Sequence, residues 1–258
     1  MNNRPRIVSW FSCGTASAVN TKLVLAKYRD THDITVARCV VPEEHIDNDR
    51  FAADCERWFG EPILNLRSDE YDSCEDVWTR TRYMSGIAGA RCTIEMKKAV
   101  RWAFEAKWNP DIQAFGYTAD ETVRADRFRK QNPTTSFVSL LIEQGLDKEA
   151  CHAIVSRAGI EIPQMYRLGF PNANCIGCVN AQSPRYWNRV RRHFPDVFAR
   201  RAALSRELGV RLVVETTGAR DRLFLDELDP ALDSGDIGPA TECSLLCYIA
   251  EQQMAGAT

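Results

Sequence analysis

Cysteine is the residue type in this chain best suited to chemistry, with ten among 258 residues. Cys175 and Cys178 form a Cys-x2-Cys pair with a glycine inside it, a spacing that brings two thiolates onto one metal ion or cluster. Cys243 and Cys247 lie four residues apart in a segment expected to be helical, so their thiols would share a face. No leader segment precedes the first expected strand. We therefore expect a cytoplasmic, reducing setting in which grouped cysteines serve metal or redox chemistry.

A second candidate site is the run of small and hydroxyl-bearing residues Ser12-Cys13-Gly14-Thr15-Ala16-Ser17. An apolar run before it predicts a buried strand, and helical apolar spacing after it predicts a helix. The loop would then lie at a helix N-terminus, where free amide groups and the helix dipole favour an anion. Gly14 can supply a positive φ, and the three hydroxyls add hydrogen-bond donors. We interpret the run as a phosphate- or sulfate-binding loop, with an ordinary capped turn as the alternative.

The rest of the pattern describes the scaffold that must position these residues. Apolar runs and amphipathic spacing predict further strands and helices, at 34–41, 47–59, 63–66, 91–108 and 112–117. Such alternation through short loops predicts an α/β fold with a doubly wound, mostly parallel sheet. We expect an α/β core that carries the anion-binding loop over residues 1–145 and a helical, cysteine-bearing region over 146–258 packed on it. On the helix expected at 147–158, Cys151 would pack and His152 would lie at the surface.

The overall charge argues against a polyanionic or membrane partner. The net charge is −2 and the pI about 6.1, so no global field attracts nucleic acid or a lipid surface. No apolar run approaches the length of a membrane span. The basic stretch at 184–195 and the segment after it are interpreted as two amphipathic helices with arginines outward. The inward residues would be Tyr186, Trp187, Val190 and Phe194.

Two further segments carry groups that could meet an anion. Cys92 opens a helix whose dipole should lower its pKa and favour the thiolate. After the strand at 112–117, Glu121, Arg124 and Arg127 fall on one helical face. Because the planar guanidinium pairs with phosphate or sulfate through two hydrogen bonds, this face is expected to reach a nucleotide.

These segments together resemble the PP-loop superfamily of adenine-nucleotide α-hydrolases, and within it the phosphoadenylyl-sulfate (PAPS) reductase family. The loop fits the family pattern of a serine, two small residues, two variable residues and a second serine. Thr15 and Ala16 stand where ATP-cleaving members carry lysine and aspartate. Cys92 with its basic neighbours, the Gly116–Arg127 segment and the Cys-x2-Cys pair follow in family order. The resemblance is to the compact kind often encoded by phages, which would act in the host cytoplasm.

The resemblance implies an oxidoreductase that binds an adenine sulfonucleotide, PAPS or APS, and reduces its sulfonyl group by thiol chemistry. Glu242-Cys243 resembles the reductases' C-terminal Glu-Cys-Gly-Leu segment, with serine in place of the glycine. Cys243 is therefore the expected nucleophile, and a thioredoxin-like dithiol the expected reductant. The residues expected at the nucleotide are Ser12, Cys13, Gly14, Thr15, Ala16, Ser17, Lys97, Gly116, Glu121, Arg124 and Arg127.

Two assignments of the cysteines stay open. In the first, Cys243 is the nucleophile and a [4Fe-4S] cluster is bound by Cys92, Cys175, Cys178 and Cys247. In the second, Cys92 packs or reacts, and zinc or a cluster is bound by Cys175, Cys178, Cys243 and Cys247. Thiolate-rich sites suit both zinc and iron–sulfur clusters, so ligand chemistry does not choose between them.

Two other functions stay open. One is an Fe–S-dependent sulfur transferase that activates RNA or DNA with ATP and magnesium, the arginine-rich stretch meeting the polymer. The other is a nucleotide-binding protein with a structural zinc and no turnover. Sulfite release from PAPS, ATP consumption that depends on RNA or DNA, and tight nucleotide binding without turnover distinguish the three functions.

Overall fold

The computed structural model describes residues 4–86, 89–214, 222–232 and 254. Its strands are β1 (Arg6–Trp10), β2 (Asp33–Cys39), β3 (Ile63–Leu66), β4 (Ser85–Gly86), β5 (Gly89–Ala90), β6 (Ile112–Phe115), β7 (Ser136–Val138), β8 (Val213–Val214) and β9 (Arg222–Leu223). Five of them form one all-parallel sheet in the order β3-β2-β1-β6-β7, and the other four form two short antiparallel pairs. The α/β fold with a parallel, doubly wound sheet is therefore confirmed.

Helices cover the sheet. They are α1 (Thr15–Tyr28), α2 (Asp47–Phe59), α3 (Cys74–Thr81), α4 (Arg91–Thr93), α5 (Ala99–Trp108), α6 (Thr122–Gln131), α7 (Leu140–Glu143), α8 (Lys148–Arg157), α9 (Gln164–Arg167), α10 (Pro184–His193) and α11 (Pro195–Glu207). A π-helical turn, Ile94–Lys98, joins α4 to α5. The strand expected at 34–41 ends early, at Cys39, because its partner β3 ends opposite it at Leu66.

The strand order places one crevice in the sheet. From β1 the chain moves outward to β2 and β3, and it later returns to the opposite side of β1 with β6 and β7. β1 and β6 run in register, with Trp10 opposite Phe115. The loops that follow these two strands therefore meet at the topological switch point, where open parallel sheets bind their ligands.

Two apolar clusters hold the layers together. The first joins β1 to α1, α2 and α8 through side chains that are at most 2% exposed, among them Ile7, Phe11, Val24, Phe51 and Ile154. The second joins α3, α10 and α11 around Trp78 and Trp187. Since α8 packs in the first cluster, part of the later chain is buried against α1, the helix that follows β1. The division at 1–145 and 146–258 stays a prediction.

The described part of the chain contains no helix with both the length and the apolar character that crossing a bilayer requires.

Candidate functional site

The loop after β1 is shaped by hydrogen bonds among its own residues. The N–H of Ser12 donates to Ser17 Oγ at 3.0 Å, and that hydroxyl donates to the carbonyl oxygen of Gly14 at 2.9 Å. Gly14 precedes α1 without a side-chain cap, so the first amides of α1 have no intrahelical acceptor. The positive φ expected at Gly14 occurs instead at Cys13, at 55°. A helix N-terminus thus opens at the switch point, an arrangement that favours an anion.

Gly116 allows the loop after β6 to contact the first turn of α1 closely. A Cβ at this position would lie 2.7 Å from the Cα of Ser17 and 2.9 Å from the carbonyl carbon of Ala16. Both neighbours are backbone atoms, which cannot rotate away as a flexible side chain could. Glycine at 116 therefore brings the two loops of the switch point into direct contact.

Thr15 is fully buried, and its hydroxyl is engaged inside the protein. Thr15 Oγ1 lies 3.0 Å from Nδ1 of His152, on α8. The hydroxyl of Tyr166, on α9, lies beside the start of α1, 3.0 Å from the position that a Cβ on Gly14 would take. His152 therefore holds the hydroxyl that was expected to donate to the anion, and the contact of Thr15 with an anion stays a prediction. His152 was expected at the surface but is 3% exposed, since α8 turns this face toward α1.

The burial of His152 predicts a dependence of stability on pH. Burial, with a smaller effect from Lys148, lowers the pKa of His152 from its usual 6.5 to about 4. Between these pH values the unfolded chain binds a proton that the folded chain does not, so stability falls as pH falls from 6.5 toward 4. The loss should reach up to about 3 kcal/mol. The free energy of unfolding of His152→Asn, measured with urea between pH 4.5 and 7, should depend less on pH than that of the wild-type protein. Thr15→Val keeps the imidazole, so its free energy of unfolding should change with pH as steeply as that of the wild-type protein.

Thiols from three distant segments meet beside the loop after β2. Cys74 begins α3, Cys92 lies in α4, and Cys175 belongs to the Cys-x2-Cys pair. The thiol of Cys74 lies close enough to those of Cys175 and Cys92 for them to act on its pKa. Cys178 is close enough to interact electrostatically with Cys175 and Cys92. Cys74 was not among the predicted ligands, because a single cysteine just after the helix-capping Ser73 resembles an ordinary core position.

The contacts among these thiols change their acidity. The thiols of Cys175 and Cys92, with burial, raise the pKa of Cys74. The thiol of Cys74 lowers the pKa of Cys92 against the effect of burial. The pKa of Cys92 is thus lowered with a neighbouring thiol as the first cause, and the effect of the helix dipole on it stays a prediction. Among the residues described, no group of three or more His, Cys, Asp or Glu side chains is arranged so that it could hold a metal ion.

The backbone of the Cys-x2-Cys turn is fixed by α10 and α11. The hydroxyl of Tyr186 accepts from the N–H of Cys178 at 2.8 Å and donates to the carbonyl oxygen of Cys175 at 3.3 Å. Gly177 has a φ of +67°, and a Cβ there would lie 3.1 Å from Val197. A glycine is therefore required inside the pair to turn both cysteines toward one side.

Lys97 links the thiols to the loop. Its ammonium donates to Glu44 at 3.2 Å. Burial acts to lower the pKa of Lys97, but the thiol of Cys175 and the carboxylate of Glu44 outweigh it and raise the pKa. Lys97 also interacts electrostatically with Cys178 and with Cys13 of the loop. One cation thus lies between the two candidate sites.

Arg38 is a second cation beside the loop, and the sequence analysis missed it. It is 5% exposed, and its guanidinium donates to Asp49 at 2.7 Å. It interacts electrostatically with Cys13, and its Nε has no hydrogen-bond partner among the described residues. In the sequence, the signal that could have identified Arg38 was its position as a single charged residue inside the apolar run of β2.

Comparison with known proteins relates the fold to a solved structure. No protein-family profile and no curated protein matches the chain. PAPS reductase from Candida auris, solved as a phosphate complex, matches with a TM-score of 0.50 and 8% identity, covering 67% of this chain and 82% of that chain. The U34-tRNA thiolase NcsA from Methanococcus maripaludis, solved with its [4Fe-4S] cluster, gives a TM-score of 0.45 and 12% identity, covering 97% and 81%.

The chain has the PAPS reductase fold. The helix α6 follows β6 at the edge of the crevice. Glu121 accepts from the N–H and the hydroxyl of Thr118 at 3.2 Å each, which closes the 3₁₀ turn Ala119–Glu121 before α6. Arg124 pairs with Glu121 at 2.5 Å and lies over the ring of Tyr117. Arg124 and Arg127 are exposed. Their contact with a nucleotide stays a prediction.

The arginine-rich helices α10 and α11 differ from expectation at two positions. Trp187 and Val190 are buried as predicted, but so are Arg189 and Arg201. Arg189 donates to the carbonyl oxygen of Gly169. Arg201 donates to Glu75 at 2.6 Å, and its guanidinium lies over the ring of Trp78.

A cavity of about 490 Å³ lies next to Arg201. Its lining includes Ser73, Glu75, Ile176, Val197 and Arg201.

The predicted nucleophile Cys243 and the predicted ligand Cys247 lie outside the described residues. Of the other predicted ligands, the structure brings Cys92, Cys175 and Cys178 together and adds Cys74.

Proposed function

We propose that the chain binds an adenine sulfonucleotide, PAPS or APS, at the loop Ser12–Ser17 and reduces its sulfonyl group by thiol chemistry. The observation that carries the proposal is the position of Lys97, which interacts with Cys13 of the loop and with Cys175 and Cys178. The anion-binding loop and the thiols are therefore neighbours across one cation. A substrate that joins a phosphate to an electrophilic sulfur requires both neighbours.

The binding half of the proposal rests on the loop and the charges beside it. The first amides of α1 would take the anionic end of the nucleotide, with the exposed Ser12, whose hydroxyl donates to Ser17 Oγ at 3.2 Å, beside it. Arg38 and Lys97 supply positive charge next to the loop. Gly116 shapes the facing wall. We include Arg124 and Arg127 as rim residues that contact the nucleotide.

The donor chemistry of these thiols suits a group held by sulfur, although the described residues as placed are not arranged to hold a metal ion. Four of them lie together, and the pKa of Cys92 is lowered in the direction that favours its thiolate. We propose that they hold a [4Fe-4S] cluster, with zinc as the alternative that such donors also suit. When bound, the cluster supplies a polarisable, redox-capable centre beside the substrate. The ligand set is Cys74, Cys92, Cys175 and Cys178, so Cys74 replaces Cys247 of the first assignment.

The proposed reaction uses Cys243 as nucleophile. Its thiolate attacks the sulfonyl sulfur, forming a sulfur–sulfur bond while the bond from that sulfur to the phosphate oxygen breaks. The adenosine phosphate leaves, and the enzyme keeps a thiosulfonate on Cys243. A thioredoxin-like dithiol then reduces this adduct, releases sulfite, restores the thiol and itself becomes a disulfide.

Sulfite release tests the reaction. The anaerobically purified protein, given PAPS and a thioredoxin system, should release one sulfite for each adenosine 3′,5′-bisphosphate formed. Cys243→Ser should lower the rate at least about a thousandfold, because the nucleophile is lost, while calorimetry should show unchanged binding of PAPS.

Two results would overturn the reductase proposal. ATP consumption that depends on RNA or DNA, without sulfite from PAPS or APS, would establish a sulfur transferase. Tight nucleotide binding with neither turnover would establish a binding protein.

A further inference from the structure

Two side chains from the later half of the chain hold the anion-binding loop, and neither belongs to the loop motif. His152 bonds to Thr15, and Tyr166 packs against His152 with its hydroxyl beside Gly14. We propose that His152 and Tyr166 are positioning residues that fix the N-terminus of α1 in the form that binds the nucleotide anion. The inference rests on the proposed function, because it assigns these residues to the same loop.

The three side chains form one compact unit. Thr15, His152 and Tyr166 are 0%, 3% and 5% exposed. The rings of His152 and Tyr166 meet edge to face, with centroids 4.5 Å apart. A Cβ on Gly14 would lie 3.0 Å from the Tyr166 hydroxyl. Tyr166 therefore lies directly beside the start of α1.

This unit fixes a conformation that the loop would not adopt by itself. Cys13, directly before Gly14, has a φ of 55°, a region that costs a non-glycine residue free energy and persists only when its surroundings hold it. Thr15 is the first residue of α1, so its position sets the direction of the helix amides. A loop held in its binding form loses less freedom when the anion binds, and its affinity is higher for that reason.

The role is one of position and not of charge. Burial lowers the pKa of His152 to about 4, so the imidazole is neutral near pH 7. A neutral ring adds no attraction for an anion. The effect of removing it should therefore not change with salt concentration, unlike the loss of an exposed charge.

A matched pair of substitutions in α1 separates this role from ordinary stability. Thr15→Val removes the hydroxyl that His152 holds. Thr21→Val makes the same change two turns later, where a fully buried hydroxyl lies 2.9 Å from Ser9 Oγ. Calorimetry with PAPS should show about tenfold weaker binding for Thr15→Val and unchanged binding for Thr21→Val, with similar melting temperatures. Thr15→Ser, which keeps the hydroxyl, should restore affinity.

Equal affinities for the two valine variants would overturn the inference. His152→Asn, which keeps a hydrogen-bonding group, should bind more tightly than His152→Ala. If the wild-type protein binds neither PAPS nor ATP, the proposed function fails. Amide hydrogen exchange at residues 12–17 then tests the positioning role by itself. Faster exchange in Thr15→Val than in Thr21→Val supports the inference, and equal exchange overturns it.

Discussion

Replacing Cys74 by alanine is expected to remove most of the metal that the proposed thiol site binds in the anaerobically purified protein. Changing a residue that only supports a metal ligand already costs about 10- to 100-fold in affinity, and Cys74 lies close enough to two of the other thiols for them to act on its pKa. The loss should therefore exceed tenfold. Iron, acid-labile sulfide and zinc per chain are the quantities to measure, because iron with sulfide identifies a cluster and zinc alone identifies a single-ion site.

Two controls make the Cys74 result specific. Cys55→Ala removes a fully buried cysteine in the first apolar cluster and should keep the metal. Cys247→Ala separates the two candidate fourth ligands, and it should also keep the metal. If Cys74→Ala keeps its full metal content and Cys247→Ala loses it, Cys247 and not Cys74 is the fourth ligand. Cys74→Ser preserves the size of the side chain, so loss of metal there excludes collapse of a cavity as the cause.

Replacing Gly116 by alanine is expected to weaken nucleotide binding by about 10- to 100-fold. The added Cβ would lie within 2.9 Å of backbone atoms of Ala16 and Ser17, so the loops after β1 and β6 must move apart. Forcing a methyl group into a packed site costs about 1–3 kcal/mol. Since 1.4 kcal/mol corresponds to tenfold, the affinity for PAPS or ATP, measured by calorimetry, should fall within that range.

Gly209→Ala is the control for a general effect of losing a glycine. Gly209 has a φ of +68°, and a Cβ there would meet nothing within 4 Å. This variant should lose stability through backbone strain alone and should keep the affinity of the unchanged protein. If both variants bind equally well, the contact at Gly116 does not shape the nucleotide site.

The sequence by itself determined the scaffold and the place of the loop. The apolar runs and helical spacing predicted the alternation of strands and helices, with α2 and β3 correct to the residue. Both signals are local, because strand burial and helix amphipathicity repeat within a few residues. The loop motif also lies within six consecutive residues, and it lies at the switch point as a parallel sheet requires.

The tertiary structure alone decided which distant side chains complete each site. Cys74 joins the thiols because α3 packs beside α4 and the Cys-x2-Cys turn. His152 lies 137 residues from Thr15 and still bonds to it. Arg201 is buried although its helix alternates polar and apolar residues, because Glu75, 126 residues away, neutralises it. Periodicity shows which face of a helix is covered, whereas the residue that covers it depends on how elements far apart in the chain pack together.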